Sequence, residues 1–365
     1  MREPRVLFIT GEYPPLYGGV GDYTHLLRLA LAGLGDQSVV LASAGAGGDG
    51  VRTVSSWNWR IAGRVDRLAR RTNSNIVHIQ YQAGAFGMSP AINVLPALLR
   101  RRLKVPVVTT FHDLRPPYLF PKAGRLRRFV MLRMARLSTA VIVTNPGDER
   151  ILTRNGVVPR RIPIGVNLPP PSSADREIRR DTVAFHGFPS RTKGIDDLIR
   201  AIGLIDSLRR PLLLLVGAQG EPSANNDIIS AEAIDAMAEE YEVRLERTGY
   251  LPPQDASNVL ATSGAIALPF VGGASLRNGS LLSGLASGRP VITTLPPTPG
   301  DLLDVQGLPQ LILVERGDVG ELWDAIERAL SETRGAHPLL PAFGWSAIGR
   351  EHDRLYRSLL GPPAW

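Results

Sequence analysis

The sequence contains no cysteine, which excludes disulfides and metal sites built from thiolates. Its six histidines are scattered, without a close pair suited to zinc. No uninterrupted apolar run approaches the ~18 residues that a membrane-spanning helix needs. The first predicted strand begins at Arg5, so no signal peptide is visible. A cytoplasmic enzyme is therefore the first expectation.

Lysine is scarce as well. The net charge of +8 comes almost entirely from arginine, since the lysines are only Lys104, Lys122 and Lys193. A nucleic-acid-binding surface would need a basic face with interleaved aromatic side chains. The sequence shows none, so no nucleic-acid partner is expected. The basic residues concentrate at 122–136, which predicts a basic amphipathic helix. It could lie on an anionic membrane surface or bind a phosphorylated acceptor, or it could be a surface helix with a solvated arginine face.

The length of 365 residues favours two domains, and the apolar pattern predicts the same organisation in each. Short apolar runs typical of strands alternate with helical patterns, an arrangement that gives parallel sheets with crossover helices. A segment at 163–173 with three successive prolines interrupts the alternation. It restarts with a strand over 182–186 and a helix over 195–208. The predicted fold is α/β, with two doubly wound domains facing a central cleft that the carboxyl ends of their strands line.

A glycine-rich segment, Gly18-Gly19-Val20-Gly21, lies between the first strand and the first helix. It resembles a dinucleotide-binding fingerprint only weakly, because it follows the strand at a distance and comes after Pro14-Pro15. A nicotinamide oxidoreductase is therefore a weak alternative. Asp22 is expected to cap the helix, a role that is compatible with a part in acceptor binding.

A second glycine- and serine-rich loop, 272–280, runs into a short apolar helix that ends near Gly288. Such an arrangement presents backbone N–H groups to an anion. No glutamate lies between Glu246 and Glu315, and the loop itself contains no carboxylate side chain. Arg277 can bind a phosphate oxygen pair bidentately. The alternative is a connector with Arg277 in solvent.

Further motifs follow one another in order along the chain. In the first half they are Tyr13-Pro-Pro-x-x-Gly-Gly-Val-Gly, Val77-His-Ile-Gln-Tyr81, Thr109-Thr-Phe-His-Asp113 and Ile162-Pro-Ile-Gly-Val166. In the second half they are His186-Gly-Phe188 with Lys193-Gly194, Leu214-Leu-Val-Gly217, Thr248-Gly-Tyr-Leu251, Ala286-Ser-Gly-Arg-Pro-Val-Ile292, and Phe343-Gly-Trp-Ser with Arg354-Leu-Tyr356. By these motifs nearly the whole chain resembles the GT-B glycosyltransferases of the large retaining family that includes sucrose synthases and bacterial α-mannosyl- and α-glucosyltransferases (glycosyltransferase family 4-like).

The resemblance implies transfer of a sugar, with retention, from a nucleoside diphosphate sugar to a saccharide, lipid-linked or small-molecule acceptor. No metal or other cofactor is implied. It also implies an N-terminal acceptor-side Rossmann-like domain over 1–167 and a C-terminal nucleotide-sugar-binding Rossmann-like domain over 168–345. A last helix over 346–361 is expected to pack back on the first domain, anchored by Trp345, Leu355 and Tyr356.

The family's functional residues transfer to this sequence position by position. Lys193 matches the family's lysine, whereas Phe188 stands where an arginine is usual, so Arg191 is expected to supply that charge. The candidate donor-binding residues are Gly18, Gly19, Arg191, Lys193, Arg277, Asn278, Gly279, Ser280 and Ser283. The candidate catalytic residues are His112 and Asp22, and the candidate acceptor-binding residues are Gln80 and Tyr81.

Two glutamates that the family carries ahead of 286–292 are absent, and Ser283 stands at the place of the second. With no evident carboxylate nucleophile, the implied mechanism is front-face displacement, in which the leaving diphosphate helps to take the acceptor proton. The absence also leaves an alternative, a non-catalytic GT-B protein that binds nucleotide sugars or acts as a partner subunit.

Overall fold

The computed structural model describes residues 3–16, 18–114, 124–172, 177–217, 228–331 and 341–361. Two compact units divide the chain. The first unit comprises Met1–Gly165 together with Pro341–Trp365, and the second comprises Val166–Leu340.

The first unit is built on a parallel sheet whose strands, in the described residues, are β1 (Arg5–Thr10), β2 (Gln37–Ser43), β3 (Val51–Val54), β4 (Ile76–Tyr81), β5 (Val107–Phe111), β6 (Ala140–Val143) and β7 (Arg160–Arg161). Their order across the sheet is β3-β2-β1-β4-β5-β6-β7. The helices are α1 (Gly19–Ala32), α2 (Ile61–Arg71), α3 (Pro90–Arg102), α4 (Gly124–Leu137) and α5 (Pro146–Arg154). Every residue of β4 and β5 is buried, as expected for central strands with crossover helices on both faces.

The second unit repeats this plan with strands β8 (Arg179–His186), β9 (Leu212–Val216), β10 (Leu245–Arg247), β11 (Ser263–Leu268), β12 (Val291–Thr294) and β13 (Leu311–Val314). Their order is β10-β9-β8-β11-β12-β13, and all pairs are parallel. The helices are α6 (Ile195–Gly203), α7 (Ala231–Glu240), α8 (Pro253–Thr262), α9 (Gly279–Ala286) and α10 (Val319–Ser331).

Each sheet grows outward from its first strand in one direction and then in the other. In the first unit β2 and β4 flank β1, and in the second β9 and β11 flank β8. Ligands of open parallel sheets bind in the crevice that such a reversal leaves at the carboxyl ends of the strands. The topology therefore predicts that a ligand of each sheet lies near the segments that follow β1 and β4 in the first unit and β8 and β11 in the second.

The chain returns to the first unit through a last helix, α11 (Trp345–Leu360), where the sequence analysis places a helix over 346–361. It packs on α1. Its Ile348, Leu355 and Tyr356 are buried in one core cluster with strand and α1 side chains, and Trp345 packs against that cluster. The two helices approach closely at Gly349, where a Cβ atom would lie 2.9 Å from the Cβ of Ala30.

Residues 122 and 123 of the basic segment lie outside the described residues. The rest of the segment forms α4, which buries Met131, Leu132 and Met134 and exposes Arg128, Arg133 and Arg136. Across the described ranges, no helix combines the length and the apolar composition needed to cross a bilayer.

Candidate active site

In the second unit, Lys193 lies in the turn that follows β8. The chain leaves β8 at His186, bends at Gly187 with φ +97°, and forms a single turn of 3-10 helix over Arg191–Lys193. The Lys193 ammonium lies against the Gly187 backbone, since a Cβ atom on Gly187 would be 2.6 Å from Nζ. A side chain at this position would displace the ammonium, and the φ of +97° itself favours glycine.

Burial lowers the pKa of the Lys193 ammonium to about 8. Among the described residues no carboxylate forms an ion pair with it. His186 lies beside it and donates from Nδ1 to the Val216 carbonyl at 3.3 Å. Burial and, secondly, the Lys193 charge lower the pKa of His186 to about 4, so His186 is neutral at physiological pH. Lys193 is thus a half-buried positive charge with a neutral neighbour.

Gly194 joins the Lys193 turn to α6 and holds it against the segment after β11. Gly194 has φ +71°, and a Cβ atom there would collide with the Pro269 carbonyl oxygen. The Val271 N–H donates to the Thr192 carbonyl at 3.1 Å. The segments that follow β8 and β11 are therefore joined at the reversal of the strand order, where a ligand of this sheet is expected.

The loop before α9 is ordered by Asn278. Its Oδ1 accepts from the Ser275 N–H at 2.8 Å, and its own N–H donates to the Ser275 carbonyl at 2.9 Å. The Asn278 N–H is therefore used inside the loop, which corrects the expectation that it binds phosphate. The N–H groups of Gly279 and Ser280 have no acceptor among the described residues, and they head α9.

Arg277 is exposed in this loop, and its Nε donates to Ser275 Oγ at 3.4 Å. Arg191 is also exposed. Ser283 is buried within α9, one turn into the helix.

In the first unit, His112 and Gln80 lie together at the carboxyl ends of β5 and β4. His112 Nε2 donates to Gln80 Oε1 at 2.8 Å, and the His112 N–H donates to the Tyr81 carbonyl at 2.9 Å. Burial lowers the pKa of His112 to about 3, so the ring is neutral at physiological pH. With its proton on Nε2, His112 keeps the Nδ1 lone pair as an acceptor.

The expected acceptor contacts of Gln80 and Tyr81 are wrong. Both side chains are buried, with 0% and 1% of their surface exposed. Gln80 is bonded to His112, and Tyr81 Oη accepts from Asn93 Nδ2 at 2.9 Å. Sequence reasoning placed both residues correctly at a strand end, but it could not show that the neighbouring strand and helix cover them.

Sequence reasoning missed Glu12, whose side chain lies against the glycine segment before α1. The Glu12 carboxylate fills the space where a Gly18 side chain would be, and it accepts from the Val20 N–H in the first turn of α1. Burial raises the pKa of Glu12, and the Asp22 charge raises it further. A carboxylate at this helix N-terminus takes the place expected for a diphosphate at Gly18, whereas the space beside Gly19 is open and its donor-binding role stays a prediction.

Asp22 is also placed differently from the expectation. Helix α1 begins at Gly19 with Gly18 as its N-cap, and no side chain caps it. Asp22 lies one turn inside the helix with an exposed side chain, so its expected capping role is wrong. The signal that could have identified Glu12 is its place directly after the buried end of β1, ahead of the glycines.

Comparisons with known proteins identify a glycosyl transferase family model for each of the two units. Residues 18–165 match the family described as glycosyl transferase 4-like domain, and residues 180–332 match the family described as glycosyl transferases group 1. No curated protein matches the sequence.

Solved structures match the chain over nearly its full length. A sucrose-phosphate synthase from Thermosynechococcus elongatus is 21% identical, with a TM-score of 0.76 over 98% of this chain and 99% of that one. A glycosyltransferase from Rickettsia africae is 16% identical, with a TM-score of 0.66 over 99% of each chain. HepE from Anabaena, solved in complex with UDP, is 14% identical, with a TM-score of 0.66 over 97% of this chain and 95% of that one.

Proposed function

This chain belongs to the glycosyltransferases of the GT-B fold, and we propose that it transfers a sugar from a nucleoside diphosphate sugar to a hydroxyl acceptor. The proposed transfer retains the anomeric configuration and needs no metal ion. The observation that carries the proposal is the half-buried Lys193 ammonium at the strand-order reversal of the second unit, with which no carboxylate of the described residues forms an ion pair.

The physical argument is one of charge balance. A partly desolvated ammonium without an anionic partner is unfavourable, and an anionic ligand would offset that cost. The segment after β11, which the Val271 N–H joins to the Lys193 turn, leads to Arg277 and to the N–H groups of Gly279 and Ser280 at the start of α9. A lysine, an arginine and a helix N-terminus together suit a diphosphate. HepE, which has a similar fold, was solved in complex with UDP, and this supports a nucleotide ligand for this chain as well.

The catalytic contribution that we propose is stabilisation of the leaving diphosphate by Lys193 and Arg277. In a front-face displacement the departing phosphate oxygen itself accepts the acceptor proton, so no side chain needs to become a covalent nucleophile. The neutral His112 accepts a hydrogen bond from a sugar hydroxyl at Nδ1. Asp22 stays a candidate for contact with the acceptor, and Arg191 and Ser283 stay candidates for contact with the nucleotide.

Metal independence is part of the proposal. In the described ranges, no group of three or more histidine, aspartate or glutamate side chains is placed to hold a metal ion. Lys193 and Arg277 supply the positive charge that a divalent cation would otherwise bring. Turnover is therefore expected to persist in EDTA, and its loss in EDTA with recovery on adding magnesium would contradict this part of the proposal.

Titration calorimetry with nucleoside diphosphates tests the donor site. A charge-assisted hydrogen bond contributes roughly 1.5–3 kcal/mol, so Lys193→Ala and Arg277→Ala should each weaken diphosphate binding about ten- to a hundredfold. Lys104→Ala is the matched control for the lysine, because Lys104 is exposed in the other unit. Arg209→Ala is the control for the arginine, because Arg209 is exposed and paired with Glu327.

The outcomes separate the alternatives. Nucleoside without phosphate should bind all five proteins alike. Undiminished diphosphate affinity in both site variants would contradict the proposed site. Tight diphosphate binding without transfer to any acceptor would favour the non-catalytic alternative.

Contact of the basic segment 122–136 with an anionic membrane stays a prediction, which flotation with anionic and zwitterionic vesicles would test.

A further inference from the structure

A chain of buried hydrogen bonds runs from the last helix of the protein to His112. Tyr356 on α11 lies with Oη 2.6 Å from His78 Nδ1. His78 Nε2 lies 2.7 Å from Thr110 Oγ1 and 3.4 Å from Gln80 Nε2. Gln80 Oε1 is then the partner of His112 Nε2 at 2.8 Å. Tyr356, His78, Thr110 and Gln80 are all fully buried, so water does not compete for these bonds.

This series of hydrogen bonds has a direction, because the oxygen of the Gln80 amide only accepts and its nitrogen only donates. Gln80 accepts through Oε1, so His112 carries its proton on Nε2. Gln80 donates through Nε2, so His78 Nε2 must be an acceptor. The His78 proton is then on Nδ1 and is donated to Tyr356 Oη. If the Gln80 amide turned over, His78 would have to move its proton to Nε2 and His112 would have to move its proton to Nδ1.

A second contact joins α11 to the same place. His352 Nδ1 donates to the Ile348 carbonyl at 2.8 Å, which leaves Nε2 to accept from Tyr23 Oη at 3.3 Å. The Tyr23 ring packs edge-on against the His112 ring, with centroids 4.7 Å apart. Helix α11 thus influences which nitrogen of the His112 ring carries the proton, and through Tyr23 it also restricts the tilt of that ring.

We propose that Tyr356, His78 and Gln80 are positioning residues that hold His112 as the Nε2–H tautomer, with Nδ1 free to accept a hydrogen bond from a substrate hydroxyl. This inference rests on the proposed function, in which His112 contacts the sugar. In water the two tautomers of a neutral imidazole are both populated, and in a folded protein the partner of one nitrogen decides which is present. The last helix of the chain supplies the acceptor that this arrangement needs, because Tyr356 Oη takes the His78 Nδ1 proton in a hydrogen bond.

Nitrogen-15 NMR of the histidine rings in the full-length protein tests the proposal without any substrate. The wild type should show His112 protonated at Nε2. Tyr356→Phe removes the acceptor of the His78 Nδ1 proton but keeps the ring, so His78 can move its proton to Nε2 and turn the Gln80 amide over. The expected result is that the Nδ1–H form of His112 appears in this variant. Tyr241→Phe, which removes a hydroxyl in the other unit, is the control and should leave the spectrum unchanged.

A rescue variant separates positioning from loss of fold. In the double variant Tyr356→Phe with Gln80→Glu, the introduced carboxylate accepts from both His112 and His78. The proton position on His112 then no longer depends on the direction of the hydrogen bonds between Tyr356 and Gln80. His112 should return to the Nε2–H form. An Nδ1–H signal in the wild type, or an unchanged His112 signal in Tyr356→Phe, would overturn the proposal.

Kinetics with a working donor and acceptor complete the test. Tyr356→Phe should lower kcat about tenfold with little change in KM, and the Nδ1–H signal and the loss of kcat should appear together. A loss of kcat with an unchanged tautomer would mean that Tyr356 is only structural. If the tautomer changes as expected while the wild type transfers no sugar, the positioning of His112 stands and the proposed function fails.

Discussion

Lys193 is a side chain whose charge is maintained at a cost. Its side chain is half-buried next to a neutral histidine, and desolvation lowers its pKa to about 8. It is still mostly protonated at pH 7, because its pKa lies about one unit above that pH. A bound diphosphate would favour the charged form and raise this pKa. Ligand binding and protonation are therefore linked at this residue.

The linkage predicts how diphosphate affinity depends on pH. Below about pH 8 the free protein already carries the Lys193 proton, so affinity should be constant. Above about pH 8 the free protein loses the proton and must regain it to bind, so affinity should fall by up to roughly tenfold per pH unit. Lys193→Arg should remove the dependence, because a guanidinium stays charged. Calorimetry with a nucleoside diphosphate between pH 7 and 9 measures it, and a flat wild-type profile would contradict the assignment of Lys193.

Individual site residues differ in how far the sequence could predict them. Lys193 was singled out by the resemblance, which places a lysine directly before a helix, and the structure has Lys193 in the turn before α6; its part in donor binding stays a prediction. The contact that Gln80 makes could not be predicted, because its partner His112 follows another strand and the burial of Gln80 comes from tertiary packing. Glu12 was missed because the glycines after it suggested an anion site, whereas its own carboxylate occupies the helix N-terminus.

Elements follow the same division between local and tertiary signals. The alternation of strands and helices was readable from the apolar runs, as in β4 and β9, which are buried throughout. Helix α6 was predicted to reach residue 208 but ends at Gly203. Leu204 and Leu208 continue the apolar pattern, yet they are 57% and 95% exposed, so the pattern there did not report a buried face. Strand β7 has two residues, too few for any periodicity.

The turn between β8 and α6 provides a prediction at the scale of elements. Gly194 combines a left-handed conformation with a close approach to the Pro269 carbonyl, whereas Gly317 has φ +74° and nothing within 4 Å of a Cβ position. Gly317→Ala should therefore cost about 1–2 kcal/mol of unfolding free energy from backbone strain alone. Gly194→Ala should cost roughly 1–3 kcal/mol more, because the methyl group forces the two segments apart. Urea denaturation compares the two variants, and equal losses would show that the Gly194 contact adds nothing.

At the scale of the whole molecule, the first unit is made of two stretches of chain that are distant in sequence. Helix α11 follows the entire second unit and yet contributes Ile348, Leu355 and Tyr356 to the core cluster that contains Phe8 and Leu27. The chain must therefore be complete before the first unit can bury its α1 face. The same helix carries the side chains that set the tautomer of His112, so stability and the candidate active site depend on one element.

Removing α11 should therefore affect the two units unequally. Each fully buried apolar side chain of the helix contributes roughly 1.5–3 kcal/mol, and several such losses are comparable with the ~5–15 kcal/mol that stabilise a whole domain. In a chain ending at residue 344, amides of β4 and β5 should lose protection in hydrogen–deuterium exchange, while those of β8 and β11 keep it. A chain ending at Gly361, which retains α11, is the matched control and should behave as the full-length protein. Protected β4 and β5 amides in the shorter chain would show that α11 is dispensable for the stability of the first unit.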